Sequence, residues 1–151
     1  MKNYKGFWFC GLAGSGKTTA AKFLQKKLKK SILIDGDEVR KYISTDLGYS
    51  EKDRVKQIKR LHGIAIIAIK SGIIPIVTSV YMNKVILLNC KKKKILVIEV
   101  DRDLKKLFKV RKIYKKTKNV VSKDIRKKKL NIPIIYNNNL KVFRKEINKF
   151  G

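Results

Sequence analysis

The sequence predicts an α/β fold in which a central, mainly parallel sheet is flanked by helices on both faces. Two observations predict it. Short, continuous apolar runs, which suit strands covered on both faces, alternate with longer segments of helical periodicity. A glycine-rich stretch, residues 11–19, directly follows the first apolar run. Strands alternating with helices are typical of a wound parallel sheet, and 151 residues suit a single domain spanning 1–151.

The glycine-rich stretch predicts a phosphate-binding loop, or P-loop. It fits the pattern G-x-x-x-x-G-K-[ST], preceded by a strand at Phe7–Cys10 and followed by a helix beginning near Gly16. Glycines let the backbone N–H groups converge on one anion, and the helix adds its positive dipole end. The residues predicted to bind ATP here are Gly11, Leu12, Ala13, Gly14, Ser15, Gly16, Lys17, Thr18 and Thr19. The fold predicted is therefore the three-layer P-loop NTPase fold.

Two side chains of this loop have predicted chemical roles. Lys17 is placed to reach the β- and γ-phosphates, and the Thr18 hydroxyl is placed to ligate Mg²⁺. The alternative is a glycine-rich turn with a chance Lys-Thr pair. The strand and helix on its two flanks favour the P-loop.

A second strand is predicted at residues 31–35, and acids follow it directly. Asp35 and Asp37 stand at the carboxyl end of that strand, where ligands bind in open α/β sheets. One carboxylate can help to hold Mg²⁺ and the other can accept a proton from an attacking hydroxyl. Alternatively, Asp37 is the N-cap of the helix that follows.

A long helix is predicted after the turn at residues 47–50. Ser50 and Asp53 resemble a capping box at its start. Its apolar stripe consists of Val55, Ile58, Leu61, Ala65 and Ala68. The polar residues Arg54, Gln57 and Arg60 are expected on other sides of the helix.

The middle of the chain predicts two more strands, at residues 73–79 and 95–100. Tyr81–Asn83 follows the first of them, so it is expected on the ligand side of the sheet. Residues 85–88 predict a short amphipathic piece, and Lys91–Lys94 a solvated turn.

The last third of the chain is less regular. A helix is predicted to open at Asp101–Leu104. Residues 112–131 are rich in lysine with few apolar anchors, which predicts a mobile lid. A last short strand is predicted at 132–136, a turn at Asn137–Asn139 and a closing helix after it.

Composition bounds the location and the partners. With 39 basic and 11 acidic residues the net charge is +28, which suits either a polyanion binder or lysine-rich solvated faces. The lysines are spread over every predicted helix, which favours the second interpretation. No apolar run is long enough for a membrane span. Cys10 and Cys90 are expected as free thiols in a reducing cytoplasm, and the lone His62 as structural.

Several segments in order resemble the adenylylsulfate kinase (APS kinase) family of P-loop kinases. Besides the P-loop, Ile34–Arg40 matches the family's L-D-G-D-x-x-R, and Leu47–Arg54 matches L-G-[FY]-S-x-x-D-R. Val97–Asp101 aligns with the strand F-x-E-V-x-V-D, and Asn119–Ile125 is similar to N-V-[VT]-G-[VI]-D-[IV]. The second and third matches are more specific than the P-loop alone.

The resemblance implies transfer of the γ-phosphoryl group of ATP to the 3′-hydroxyl of adenylylsulfate. It implies that Asp37 orients or deprotonates that hydroxyl and that Asp35 is its metal-side partner. Arg40 and Arg54 resemble the arginines that grip the sulfate-phosphate anhydride, and Tyr49 resembles the ring that stacks on the acceptor base. The alternatives are a half-buried core tyrosine and a surface ion pair between Arg54 and Glu51.

The resemblance extends to three further expectations. Gln57 replaces the family's usual asparagine at the acceptor. Arg111 begins a shortened lid motif, Arg111–Tyr114, and is expected to bind ATP. The family also implies a homodimer.

Departures from the family pattern concern the acceptor. Its I-S-P-[YF]-R motif is replaced by Val80–Asn83, and its late glycine is Ser122. These changes leave open a related kinase for another nucleotide-linked acceptor, such as the cytidine diphosphoramidate kinases of capsule pathways. A third alternative is a polyanion or nucleic-acid binder with a relic nucleotide site.

Overall fold

A five-stranded, all-parallel sheet forms the centre of the protein. The computed structural model describes residues 3–103, 105, 107 and 129–151. Within them the strand order is β2-β3-β1-β4-β5, with every pair of neighbours parallel. The strands are β1 (Gly6–Cys10), β2 (Ser31–Asp35), β3 (Ile74–Ser79), β4 (Ile95–Asp101) and β5 (Ile134–Tyr136). The strand that carries the P-loop, β1, therefore lies at the centre, between β3 and β4.

Helices cover both faces of this sheet. Those described over their full length are α1 (Lys17–Gln25), α2 (Gly36–Tyr42), α3 (Glu51–Lys70), α4 (Lys84–Lys92) and α5 (Leu140–Ile147). Alternate residues of β1 separate the core into two clusters, because successive side chains of a strand point to opposite faces. Trp8 packs with α3 and α4 on one face, and Phe9 packs with α1 and α5 on the other. The predicted three-layer α/β fold is confirmed.

The boundaries differ from the sequence prediction at a few places. Helix α4 continues through Lys91 and Lys92, so the predicted turn at 91–94 is wrong for those two residues. The capping prediction at α3 is confirmed, since the Ser50 hydroxyl accepts a hydrogen bond from the backbone N–H of Asp53 at 3.1 Å. Gly72, with a φ of 73°, follows the end of that helix.

Several smaller predictions are also tested. Cys10 and Cys90 are both free and buried, and burial raises the pKa of the Cys90 thiol to about 12. His62 is half-buried in α3, and burial lowers its pKa. In the described part of the chain, no helix has the length and apolar character that a membrane crossing requires. Most of the predicted lid, residues 112–128, lies outside the described residues, and so do Arg111 and Asn119–Ile125.

Candidate active site

The P-loop follows β1 and has the backbone geometry that its glycines predict. The backbone φ values are 156° at Gly11, 82° at Gly14 and 106° at Gly16, and residues other than glycine rarely adopt them. At Gly11 a Cβ atom would also collide with the backbone carbonyl oxygen of Val100 on β4. Helix α1 then begins at Lys17, directly after the loop. The loop is therefore held in its curled form by both local conformation and close packing against β4.

Hydrogen bonds between residues of the P-loop stabilise its conformation. The backbone N–H of Ser15 donates to the carbonyl of Leu12 at 3.1 Å, and Lys17 Nζ donates to the same oxygen at 2.9 Å. Leu12 and Ser15 are buried, so they contribute through their backbone, whereas Thr19 is exposed on α1. A bound triphosphate would draw the Lys17 ammonium away from Leu12, because a phosphate is a stronger acceptor than a carbonyl.

The two residues predicted to hold Mg²⁺ lie in direct contact. Thr18 Oγ1 donates a hydrogen bond to Asp35 Oδ2 at 2.9 Å, across 17 residues of sequence. A hydroxyl that donates its proton keeps its lone pairs for a cation. Hard oxygen ligands, few in number and beside a phosphate loop, suit Mg²⁺, which keeps several waters and binds mainly to phosphates. In the described residues no cluster of three or more His, Cys, Asp or Glu competes with this pair as a metal site. The residues present therefore fit Mg²⁺.

Asp35, rather than Asp37, caps helix α2. Its other carboxylate oxygen, Oδ1, accepts a hydrogen bond from the backbone N–H of Asp37 at 2.9 Å. The alternative assignment of Asp37 as the N-cap is therefore wrong, because the helix already begins at Gly36. The Asp37 side chain is exposed in the first turn of α2. Its carboxylate is thus left available at the site, two residues from the Thr18–Asp35 pair.

An exposed aromatic ring and two guanidinium groups form a cluster beside Asp37. The Tyr49 ring, 51% exposed, has Arg40 Cζ 4.5 Å and Arg54 Cζ 5.6 Å from its centroid. Such distances are those of cation–π contacts. Tyr49 lies in neither core cluster, so the alternative interpretation of Tyr49 as a core residue is wrong. We refer to Arg40, Tyr49 and Arg54 as the arginine cluster.

Arg54 is the buried member of this cluster. Only 8% of it is exposed, and its Nε donates to the backbone carbonyl of Tyr49 at 3.1 Å. Burial lowers its pKa first and the neighbouring Arg40 charge lowers it further, whereas Tyr49 and Asp37 act in the opposite direction. Two like charges held close together in a partly desolvated site favour an anion between them.

The polar residues of α3 were expected away from its apolar stripe, and that expectation is wrong for two of them. Arg54 and Gln57 are buried on the side of the helix that also buries Ile58 and Leu61. Gln57 Nε2 donates to the Gly36 carbonyl at 3.0 Å, at the start of α2. Its buried Oε1 atom has no hydrogen-bond partner among the described residues. Gln57 is therefore anchored beneath the site with one acceptor atom still unused.

The loop that carries Tyr49 is fixed at several points. Arg40 Nη1 donates to the carbonyl of Gly48 at 2.7 Å. Asp53 Oδ2 accepts hydrogen bonds from the Gly48 N–H at 3.2 Å and from the Ser50 hydroxyl at 2.9 Å. Arg60 and Asp46 form a two-pronged ion pair, with N···O distances of 2.6 and 2.8 Å. This pair lowers the pKa of the Asp46 carboxyl to about 2 and raises that of Arg60.

The segment after β3, Tyr81–Asn83, was expected on the ligand side, but most of its side chains are buried. Tyr81 and Met82 are buried, and Asn83 caps α4 by accepting a hydrogen bond from the N–H of Ile86 at 2.9 Å. The Tyr81 hydroxyl donates to Glu51 Oε1 at 3.0 Å in the first turn of α3. Burial, followed by this contact, raises the pKa of Tyr81 to about 12. The segment at 80–83 is thus a packed loop tied to α3.

Two residues at the P-loop are absent from the sequence prediction. Asn137 Nδ2 donates to the Ser15 carbonyl at 2.8 Å, and Arg102 Nη1 lies 3.4 Å from the Gly14 carbonyl. They follow β5 and β4 respectively. Their position just after the carboxyl ends of parallel strands was the only signal that could have identified them.

A family model for adenylylsulphate kinase matches residues 5–126. Two curated relatives illustrate the similarity. Over 76 residues, 48% of this chain and 12% of the relative, the chain is 43% identical to the bifunctional enzyme NodQ of Rhizobium sp. strain N33. Over 84 residues, 52% of this chain and 42% of the relative, it is 42% identical to the adenylyl-sulfate kinase of Clostridium acetobutylicum. The chain thus spans less than half the length of these relatives.

A solved structure extends the similarity over nearly the whole chain. The APS kinase of Mycobacterium tuberculosis, solved with AMPPNP and APS, superposes with a TM-score of 0.84. The alignment covers 97% of this chain and 95% of that one at 20% identity. At that identity the likeness concerns the fold.

Proposed function

The chain belongs to the adenylylsulphate kinase family, and from this membership we propose that it transfers the γ-phosphoryl group of ATP to the 3′-hydroxyl of adenylylsulfate. The observation that carries the proposal is that two hydrogen bonds connect the P-loop to Asp37, whose charge acts on the arginine cluster. Thr18 at the P-loop bonds to Asp35, and Asp35 bonds to the backbone of Asp37. The Asp37 charge in turn acts on Arg54 in the arginine cluster. Asp35 and Asp37 therefore lie between the residues proposed to bind the phosphate donor and those proposed to bind the anionic acceptor.

On the donor side, the P-loop amides and Lys17 hold the phosphates of ATP. Mg²⁺, where bound, neutralises charge on the β- and γ-phosphates. The Thr18 hydroxyl and Asp35 are the residues that would hold it, Asp35 through water. Because Asp35 also caps α2, the residue that would help to hold the metal fixes the backbone of Asp37 as well.

On the acceptor side, Arg40 and Arg54 hold the sulfate-phosphate anhydride, and a face of Tyr49 takes the adenine base. Arginine forks suit such an anion because they donate several hydrogen bonds in fixed geometry. The unused Oε1 atom of Gln57 provides an acceptor for a donor group of the substrate. The two guanidinium groups already contact Tyr49, so the base and the arginines must share its surface.

In the reaction the 3′-hydroxyl oxygen attacks the γ-phosphorus while its proton passes to Asp37. The bond between the γ-phosphorus and the β–γ bridging oxygen breaks, and ADP leaves with Lys17 against its new charge. General-base assistance and electrostatic stabilisation are the two contributions that this geometry offers. Arg111, in the lid motif, is a further residue proposed to bind ATP. A homodimer and a cytoplasmic location complete the proposal.

The test is a turnover assay with two nucleotide acceptors and a control without acceptor, under matched conditions. Purified protein with ATP and Mg²⁺ is given adenylylsulfate, a cytidine nucleotide of the diphosphoramidate type or no acceptor, and ADP and the phosphorylated product are quantified. We expect one ADP per 3′-phosphoadenylylsulfate formed and little ADP otherwise. Turnover of the cytidine nucleotide alone would replace the proposal with the capsule-type kinase. Tight RNA binding with a steep salt dependence and no acceptor-stimulated turnover would favour the polyanion binder.

A further inference from the structure

The outer surface of the P-loop is held by side chains from the far end of the chain. Asn137, just after β5, donates from Nδ2 to the carbonyl oxygen of Ser15 at 2.8 Å across 122 residues of sequence. Both residues are at least partly buried. A distance of 2.8 Å is that of a well-formed hydrogen bond.

The Ser15 carbonyl shares a peptide plane with the N–H of Gly16. In a trans peptide these two groups point in opposite directions. A donor that fixes the carbonyl on the outside of the loop therefore directs the Gly16 N–H to the inside. In the described part of the chain no acceptor takes that N–H. It is thus available for an anion in the concave side of the loop, which is how successive amides bind phosphates.

Close packing strengthens this link. A Cβ atom on Gly16 would collide with the side-chain amide of Asn137, so any other residue here would push that amide from its present position. Gly16 also has a φ of 106°, which other residues rarely adopt. Gly16, the residue just before α1, is therefore held by its own conformation and by a contact from Asn137, just after β5.

We infer that Asn137 is a positioning residue for phosphate binding, which acts by holding the Ser15–Gly16 peptide so that its N–H points at the β-phosphate of the nucleotide. The inference rests on the proposed use of the P-loop for a nucleotide. Arg102 has a lesser part of the same kind. Its contact with the Gly14 carbonyl is longer, at 3.4 Å, and the N–H of that peptide, on Ser15, is already bonded to Leu12.

The experiment measures phosphate binding without any acceptor chemistry. Isothermal titration with ADP and with pyrophosphate compares the parent protein with Asn137→Ala and with the similarly shaped Asn137→Leu, which lacks the donor. We expect both variants to lose about tenfold in affinity for both probes, the size typical of one hydrogen bond to a charged group. The matched control is Asn138→Ala, because Asn138 belongs to the same turn but contacts Asp103 instead of the loop. It should stay within about twofold of the parent.

A spectroscopic readout separates positioning from a loss of folding. In the parent, the Gly16 amide resonance should move strongly when pyrophosphate is added. In folded Asn137→Ala or Asn137→Leu its movement should be less than half as large. An unchanged Gly16 response, or pyrophosphate affinity within twofold of the parent, would overturn the inference. A parent protein that binds neither ADP nor pyrophosphate would instead overturn the proposed function, whereas failure to phosphorylate adenylylsulfate alone would leave the role of Asn137 intact.

Discussion

The two halves of the candidate site are built in different ways. The proposed donor half consists of one contiguous stretch, residues 11–19, whose glycine backbone and amides would do most of the binding. The acceptor half combines side chains from α2, the loop after it and α3, and it depends on long-range contacts such as Arg60–Asp46 and Gln57–Gly36. A backbone site tolerates few substitutions, whereas a side-chain site can be rebuilt residue by residue. In keeping with this difference, the P-loop keeps its full glycine pattern, whereas Val80–Asn83 replaces a motif of the family.

Asp37 stands where the two halves meet, and removing its charge is expected to have the largest effect. Asp37→Asn should lower kcat at least about 100-fold, because proton acceptance by a positioned carboxylate contributes that much or more. The affinity for ATP should change little, since no described bond of the Asp37 side chain reaches the P-loop. Steady-state kinetics measure the change in kcat, and titration with ATP measures the change in affinity for ATP.

The adjacent acid provides the control for this comparison. Glu38 is exposed on the next position of α2, so Glu38→Gln changes the same charge without touching the reaction. It should keep its kcat within about threefold, as expected of an exposed surface charge. A fully active Asp37→Asn variant would remove the proton-acceptor assignment.

A substitution at Arg54 tests whether binding of adenylylsulfate can be weakened without weakening the binding of ATP. Arg54→Lys keeps the charge but loses the planar fork, so the KM for adenylylsulfate should rise about tenfold or more while the KM for ATP stays the same. Initial-rate kinetics with each substrate varied in turn measure the two constants. Arg144→Lys is the matched control, because Arg144 lies over the Phe23 ring at 4.6 Å, outside the arginine cluster. Equal increases in both KM values would contradict the separation of the halves.

Removing the Asp46–Arg60 ion pair is expected to have the smallest effect. That effect on stability should depend on pH. The pKa of Asp46 is lowered to about 2 in the folded protein from the ordinary 3.8, so the pair stabilises the fold above about pH 4 and is lost as pH falls through 2. Asp46→Asn should therefore lower the denaturant midpoint slightly at pH 7 and less at pH 3. The KM for adenylylsulfate should rise about twofold, because exposed pairs contribute little.

A second surface pair serves as its control. Glu146, on α5, accepts a hydrogen bond from Lys149, just after that helix, at 2.6 Å. None of the residues proposed to bind adenylylsulfate lies in this part of the chain. Glu146→Gln should leave the KM for adenylylsulfate unchanged. A larger effect on KM from Glu146→Gln than from Asp46→Asn would mean that the loop carrying Tyr49 is not held by Arg60.

The success of the sequence prediction follows the same division. The P-loop, the strand before it and the helix after it were predicted because their pattern is local and the chemistry dictates the spacing. The contact between Thr18 and Asp35 also agrees with the roles given to them as a magnesium pair, although those roles stay a prediction. The placement of Arg54 and Gln57 was wrong, because periodicity alone assigns polar residues to solvent. Tyr49 provides the partner of Arg54, and the Gly36 carbonyl provides the partner of Gln57. These contacts offset the free-energy cost of burying the two polar side chains.

The sequence by itself determined the alternation of strands and helices, the anion-binding loop and the acids that follow β2, because short-range pattern and glycine conformation suffice for each. Only the tertiary structure decided which remote side chains meet that loop. The sheet order places β4 beside β1 and β5 beside β4, so Arg102 and Asn137 reach carbonyls more than 80 residues away. The same folding sets Tyr49 against two guanidinium groups. Such contacts depend on how separate segments pack in space, and no local pattern encodes them.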